Sequence, residues 1–160
     1  MITWRGTDEE RVETATVDLR DDGLHASGMQ ETPAYRLDYE LDVGPGWVTR
    51  RLQVRCGDRT LDLDPAHHGA LDCDLGLSPL TNTMPIRRHG LLAPGARPVE
   101  IVAAWVSVPD LEVHRSPQRY EPVDAGHVRY VALDGDFTAL LDVDPDGLVR
   151  AYEHLAVRRA

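Results

Sequence analysis

Between Tyr35 and Cys56 the chain alternates in side-chain character with a period of two, and the alternation is broken once. Tyr35, Leu37, Tyr39, Leu41 and Val43 are interleaved with Arg36, Asp38, Glu40 and Asp42. After Gly44-Pro45-Gly46 the pattern resumes, with Val48, Arg50, Leu52, Val54 and Cys56 against Thr49, Arg51, Gln53 and Arg55. A helix repeats every 3.6 residues and cannot sort such a sequence onto one face, whereas a half-buried strand does so automatically. The two runs therefore predict an antiparallel hairpin, with an acidic outer face on the first strand and an arginine-rich one on the second. Cross-strand opposite charges contribute roughly 0.2–1 kcal/mol per pair, so they favour one register and do not by themselves make the fold.

Similar signals extend over the rest of the chain. Strands are expected at Val12–Arg20, Leu24–Gln30, Arg59–Leu63, Ala70–Leu75, Val99–Val108, Leu111–Arg115, Gln118–Val123, Val128–Leu133, Phe137–Val143 and Leu148–Tyr152. Short turns such as Asp21-Asp22-Gly23, Asp134-Gly135-Asp136 and Asp144-Pro145-Asp146-Gly147 separate many of them. This spacing belongs to an all-β sandwich, barrel or roll. Ile101–Val108 is apolar on both faces, which implies a strand covered from both sides. No linker or repeat divides the 160 residues, so one domain spanning 1–160 is expected.

Charge narrows the partners. The net charge of −10 argues against non-specific nucleic-acid binding, which needs cations to neutralise phosphates. All basic residues are arginines, suited to bidentate recognition of carboxylate or phosphate, although coding bias yields the same usage. No apolar run has the length of a membrane span. The opening MITWRGTDEER lacks the basic-then-apolar order of an export signal, so a cytoplasmic location is expected. Cys56 and Cys73 are read as reduced thiols, since two cysteines make no disulfide framework.

Leu71 to Arg88, LDCDLGLSPLTNTMPIRR, departs from the strand pattern. Ser78 is a favourable N-cap and Pro79 suits the first helical position. Leu80 and Met84 share a face four residues apart. Pro85 removes a donor, so the segment is read as a short or kinked helix over about residues 79–89, terminated by Gly90. Asp72 and Asp74 project from one face of the preceding strand, with Cα atoms about 6.6 Å apart. Such a pair fits acid/base chemistry or shared metal binding, and equally the wet face of a half-buried strand. The favoured reading joins them to Arg87 and Arg88, one bidentate pair pinning the helix to the sheet. Thr81, Asn82 and Thr83 compete for backbone hydrogen bonds in a helix. Their two readings are satisfaction of groups freed by Pro85 and contact with a polar head group.

Other chemistry finds little support. His67-His68 would point to opposite faces on a strand, lacks further ligands at zinc spacing and is read as a surface loop. Ser78 sits in no nucleophile elbow. The aspartates beside Cys73 raise its thiol pKa and do not activate it. No glycine-rich loop cradles phosphate. No cofactor and no metal is expected. Trp4, Trp47, Trp105 and the five tyrosines supply the aromatic surface, for which packing is the default role.

Leu71-Asp72 through Asp74-Leu75, Ser78-Pro79, Thr81-Asn82-Thr83 and Pro85-Ile86-Arg87-Arg88 together resemble the signature of the bacterial putative glycolipid-binding family. Flanking similarity lies in Tyr35-Arg36-Leu37, Tyr39, Trp47, Arg50-Arg51, Gln118, Tyr120, Asp146 to Val149 and Tyr152. The resemblance implies a mainly β fold: a spiral β-roll, with a long antiparallel sheet wrapped around one helix, in a homodimer. Two departures stand out. Ala70 occupies the place of an expected cysteine, and Arg59 to Gly69 is short, as if a hairpin before the motif were missing.

The resulting expectation is a non-catalytic protein holding a glycolipid or other amphiphile between sheet and helix. Thr81, Asn82, Arg87, Arg88, Asp72, Asp74, Gln118 and Tyr120 form the candidate ligand-binding set. The alternative is an enzyme acting on a sugar or phosphate ester through Asp72 or Asp74 and an arginine. The third is a structural or regulatory homodimer joined through Ile101–Val108.

Overall fold

The computed structural model describes residues 1–160. The strands are β1 (Ile2–Gly6), β2 (Val12–Arg20), β3 (Gly23–Glu31), β4 (Arg36–Gly44), β5 (Val48–Cys56), β6 (Arg59–Leu63) and β7 (Asp72–Leu75). A 3-10 turn at Pro79–Asn82 then runs into α1 (Thr83–Arg88). The chain continues through β8 (Val99–Val106), β9 (Val113–Asp124), β10 (His127–Ala132), β11 (Thr138–Val143), β12 (Val149–Tyr152) and β13 (Ala156–Arg158). All thirteen strands join one sheet in the order β6-β5-β4-β3-β2-β1-β13-β12-β11-β10-β9-β8-β7. Neighbours are antiparallel except β7 and β8, which run parallel.

The sheet stays open and coils upon itself as a spiral roll. At the β7 end, Cys73, Leu75, Ala104 and Val106 turn one face into the larger core, against Leu41, Leu52, Val54 and Leu63 from β4–β6. The two ends of the sheet thus overlap, and the Thr49 amide donates to the Leu71 carbonyl across them. The opposite face of β7 looks into the roll, where the helical segment lies. Leu80 and Met84 join the larger core, whereas Ile86 joins a second one with Tyr120, Tyr130, Leu141 and Tyr152. The segment therefore lies between two apolar clusters, each of which it helps to close.

The β4–β5 hairpin has the expected register, with Asp38 opposite Arg55 and Asp42 opposite Arg51. Its second strand differs from the simple alternation. Asp42 pairs with Arg51 while Val43 pairs with Thr49, so Arg50 is the extra residue of a bulge. The bulge shifts the phase, burying Thr49 and leaving Arg50 exposed in place of the inward position that alternation gave it. An unpaired inward guanidinium would be costly, and the bulge avoids it.

Other expectations are corrected. β1 and β13 have no counterpart among the expected strands; they pair with each other and join the two halves of the sheet. The strands expected at Leu111–Arg115 and Gln118–Val123 are one, β9, which begins at Val113, while His67-His68 lies as expected in the connection between strands, where it closes a 3-10 turn. The covered strand at Ile101–Val108 is β8, which ends at Val106; Ala103, Ala104 and Val106 are buried, but Trp105 is exposed. Cys73 and Leu75 are buried as the alternation requires, but Leu71 is exposed and Asp72 is buried where a wet face is one of the readings. The reason is the helical segment packed over that face, whose Arg88 covers Asp72 while Asp74 stays partly accessible.

Candidate functional site

The candidate residues divide into two groups at opposite ends of the helical segment. At its C-terminal end, Arg88 forms a bidentate pair with Asp72, Nη1 lying 2.8 Å from Oδ1 and Nη2 meeting Oδ2. Nη1 also donates to the Trp47 carbonyl at 3.0 Å. Arg87 lies over the Trp47 ring, 4.6 Å from its centroid, and donates to the Asp146 carbonyl at 2.9 Å. Gly147 makes this possible. Its φ is +86°, and a Cβ there would come within 2.8 Å of the Arg87 stem. Both arginines are thus held by protein, at the helix end whose dipole favours cations. The ion pair expected between helix and strand exists, and its members are Asp72 and Arg88.

At the N-terminal end, Asp74 receives Gln118 Nε2 at 2.7 Å and Thr81 Oγ1 at 3.4 Å. Gln118 also contacts Ser116, and Thr81 donates to the Ser78 carbonyl at 3.2 Å. Asn82 donates to the Tyr120 hydroxyl at 2.9 Å. Asp74 is densely surrounded yet keeps part of its surface accessible. Burial pushes its carboxyl up to about 6, opposed by the hydrogen bonds from Gln118 and Thr81. Burial and then the Asp74 charge raise the hydroxyls of Tyr120, Tyr130 and Tyr152.

The tyrosines form a packed cluster. Tyr130 lies 5.5 Å from Tyr120, edge to face, and 6.3 Å from Tyr152, while the exposed Phe137 lies 6.0 Å from Tyr130. Ser116, Tyr130 and Tyr152 were absent from the sequence-based set. Tyr130 was accessible to reasoning, since the β9–β10 hairpin pairs it directly with Tyr120. Tyr152 reaches the site only through coiling of the sheet, which leaves no local pattern.

The family model described as "Putative glycolipid-binding" matches residues 1–158. This chain belongs to that family. It is also similar to the crystal structure of a DUF1089 family protein from Pseudomonas aeruginosa, with 32% identity and a TM-score of 0.73 over 95% of this chain and 93% of that one. No curated protein matches it.

This member of the glycolipid-binding family contains a second buried acid, unforeseen from the sequence. Glu13 is 1% exposed and accepts Tyr39 Oη at 2.8 Å, Ser78 Oγ at 2.6 Å and Gln30 Nε2 at 3.2 Å. Ser78 stands at the N-cap with Pro79 next, as expected, but its side chain does not cap; the hydroxyl ties the start of the helical segment to β2. Tyr39 reaches Glu13 by lying across Gly28, where a Cβ would approach its ring atoms to 2.4 Å. Burial pushes Glu13 up to about 7, with the bonds from Ser78, Tyr39 and Gln30 pulling the other way. Both cysteines are free and buried, and burial raises the Cys73 thiol.

Two prominent surface depressions lie away from the helix. An open groove of about 790 Å³ covers the outer side of β2–β6, among Thr14, Thr16, Asp38, Glu40 and Arg55. Another, of about 360 Å³, lies among Tyr35, Cys56, Arg59 and Pro109. No helix is long and apolar enough to cross a membrane.

Proposed function

We propose that this protein binds a glycolipid or similar amphiphile without transforming it, and that the polar head is received beside Asp74. The observation that carries this reading is the convergence of Asp74, Thr81, Asn82, Gln118 and Tyr120 beside a tyrosine cluster with an exposed phenylalanine. Small-molecule sites commonly combine an apolar lining with a few oriented polar groups. Membership of the glycolipid-binding family supports the ligand class.

Arg87 and Arg88, with Asp72, are assigned to holding the helix. Arg88 bonds Asp72 and the Trp47 carbonyl, leaving its Nε without a partner, and Arg87 gives one bond to the Asp146 carbonyl. That assignment also weakens the hydrolytic alternative. Glycoside hydrolysis ordinarily uses two carboxylates flanking the bond, and Asp72 is committed to Arg88. The raised Asp74 carboxyl favours a single acid/base reading as the second possibility. The reading includes a cytoplasmic homodimer, which cell fractionation and light scattering address.

Native mass spectrometry of protein purified without detergent and exposed to a lipid extract tests the proposal. An added mass that dissociates as an amphiphile is the expected result. Unmodified protein after repeated exposure contradicts it. Release of altered lipid would favour the acid/base reading instead.

A further inference from the structure

We infer that the free edge of β6 docks the β6 of a second copy of this chain, the two strands pairing antiparallel and joining two sheets into one. This rests on the homodimer in the reading above and adds where, and in which register, the copies meet. A thirteen-stranded sheet that stays open has two ends, and each end strand leaves a row of backbone groups unpaired. The β7 end is hidden inside the roll: Asp72, Cys73 and Leu75 are buried, and the neighbouring Leu71 carbonyl already accepts the Thr49 amide. The β6 end lies open, with Arg59, Thr60 and Asp62 exposed. Its hairpin with β5 turns through Gly57-Asp58, with Gly57 at φ +58°, and a two-residue turn of this kind closes on a hydrogen-bonded pair, here Cys56 and Arg59. Bonded and non-bonded pairs then alternate, so the N–H and C=O groups of Leu61 and Leu63 face β5 while those of Thr60 and Asp62 face outward. No backbone bond outside the ladder takes up either residue.

Sheets ordinarily protect such an edge with a proline, a bulge, a cover or an uncompensated charge. β6 has no proline and pairs with β5 without a shift of register. Its one acid, Asp62, is neutralised by Arg51 of β5, and its one arginine donates to the Asp110 carbonyl. Self-pairing then selects a register. Only outward-facing residues can exchange bonds, so Thr60 lies opposite itself, Asp62 opposite itself, or Thr60 opposite the partner's Asp62. The third alone gives two bonded pairs within the strand. It sets a hydroxyl against each carboxylate and brings Leu61 against its own copy at the two-fold axis. Asp62 opposite itself would instead oppose like charges, which is destabilising. Thr60 and Asp62 also line the outer groove, so the pairing carries that groove from one copy into the other. Each copy uses its one open edge, which closes the assembly at a dimer. Five-residue strands make a small interface, for which a dissociation constant on the order of micromolar is expected.

Analytical ultracentrifugation of the full chain over a dilution series, combined with amide hydrogen exchange, tests the pairing. The expected result is a monomer–dimer equilibrium in which the Thr60 and Asp62 amides are protected in concentrated protein and exchange freely on dilution. Thr60→Pro removes an outward N–H that the chain's own ladder does not use, a change that an edge strand tolerates. It should weaken dimerisation at least about 10-fold and leave the circular dichroism spectrum unchanged. Thr60→Glu, which sets a second carboxylate opposite the partner's Asp62, should weaken the dimer about 3-fold, and Thr60→Arg should tighten it by a similar factor. A dimer whose Thr60 and Asp62 amides exchange equally fast at every dilution, and which none of these variants alters, overturns the inference and leaves the homodimer standing at another surface. A monomer at every concentration removes both.

Discussion

Asp72 and Asp74 stand two residues apart on the same short strand and face the same side of it, yet they have opposite fates. Asp72 is buried and matched by a bidentate guanidinium, with nothing left to offer. Asp74 has neutral donors, retains accessible surface and is held near neutrality by burial. The residue type and strand position are shared. What differs is which end of the helix lies opposite: the arginine-bearing C-terminus for Asp72, the threonine and asparagine turn for Asp74. A charged partner neutralises a buried carboxylate, whereas neutral partners leave its charge uncompensated.

The largest expected effect tests this contrast. Arg88→Ala leaves Asp72 as an unpaired buried charge and should cost about 3–5 kcal/mol in chemical denaturation. Asp74→Asn should cost less, about 1–2 kcal/mol, because the amide keeps one of the two accepting oxygens and only one neutral donor loses its partner. Comparable losses in the two variants would erase the distinction.

A pH series sharpens it. Glu13 has a folded-state pKa near 7 against an ordinary 4.5, so the folded chain holds its proton more tightly than the unfolded one. Its stabilisation is therefore complete below about pH 4.5 and is lost as pH rises towards 7. The shift corresponds to about 3 kcal/mol at most. Asp74 acts in the same direction over a lower window, from about 3.8 to about 6. Denaturation midpoints should thus fall between mildly acidic and neutral pH, and Glu13→Gln should remove most of that slope. A rising midpoint over the same range would mean that Glu13 is ionised in the fold.

Smaller effects are expected from the glycines that admit these contacts. Gly147→Ala, at φ +86° and against the Arg87 stem, should cost about 1–3 kcal/mol. Gly28→Ala should displace the Tyr39 ring and cost a similar amount, about 1–3 kcal/mol, while lowering the Glu13 pH response. Arg51→Ala removes a solvent-exposed pair with Asp62 and should leave the melting temperature unchanged.

The strand content was legible because period-two alternation is local, and the Asp–Arg lock was legible because bidentate chemistry requires complementary groups. Which aspartate and which arginine met was not, since that depends on the angle at which the helix crosses the strand. Glu13 carried no signal at all. It follows Val12 in an ordinary strand, and its partners Gln30, Tyr39 and Ser78 are brought to it by three other parts of the chain. β1 and β13 escaped notice because five and three residues are too few for alternation to show.

The central claim is that ligand enters beside Asp74 and not at the arginines. Amide chemical-shift mapping during octyl glucoside titration tests it most directly. Shifts centred on Asp74, Thr81, Asn82, Gln118, Tyr120 and Tyr152 are the expected result. Shifts centred on Trp47, Arg87 and Arg88, or on the outer groove around Asp38 and Arg55, would contradict the account.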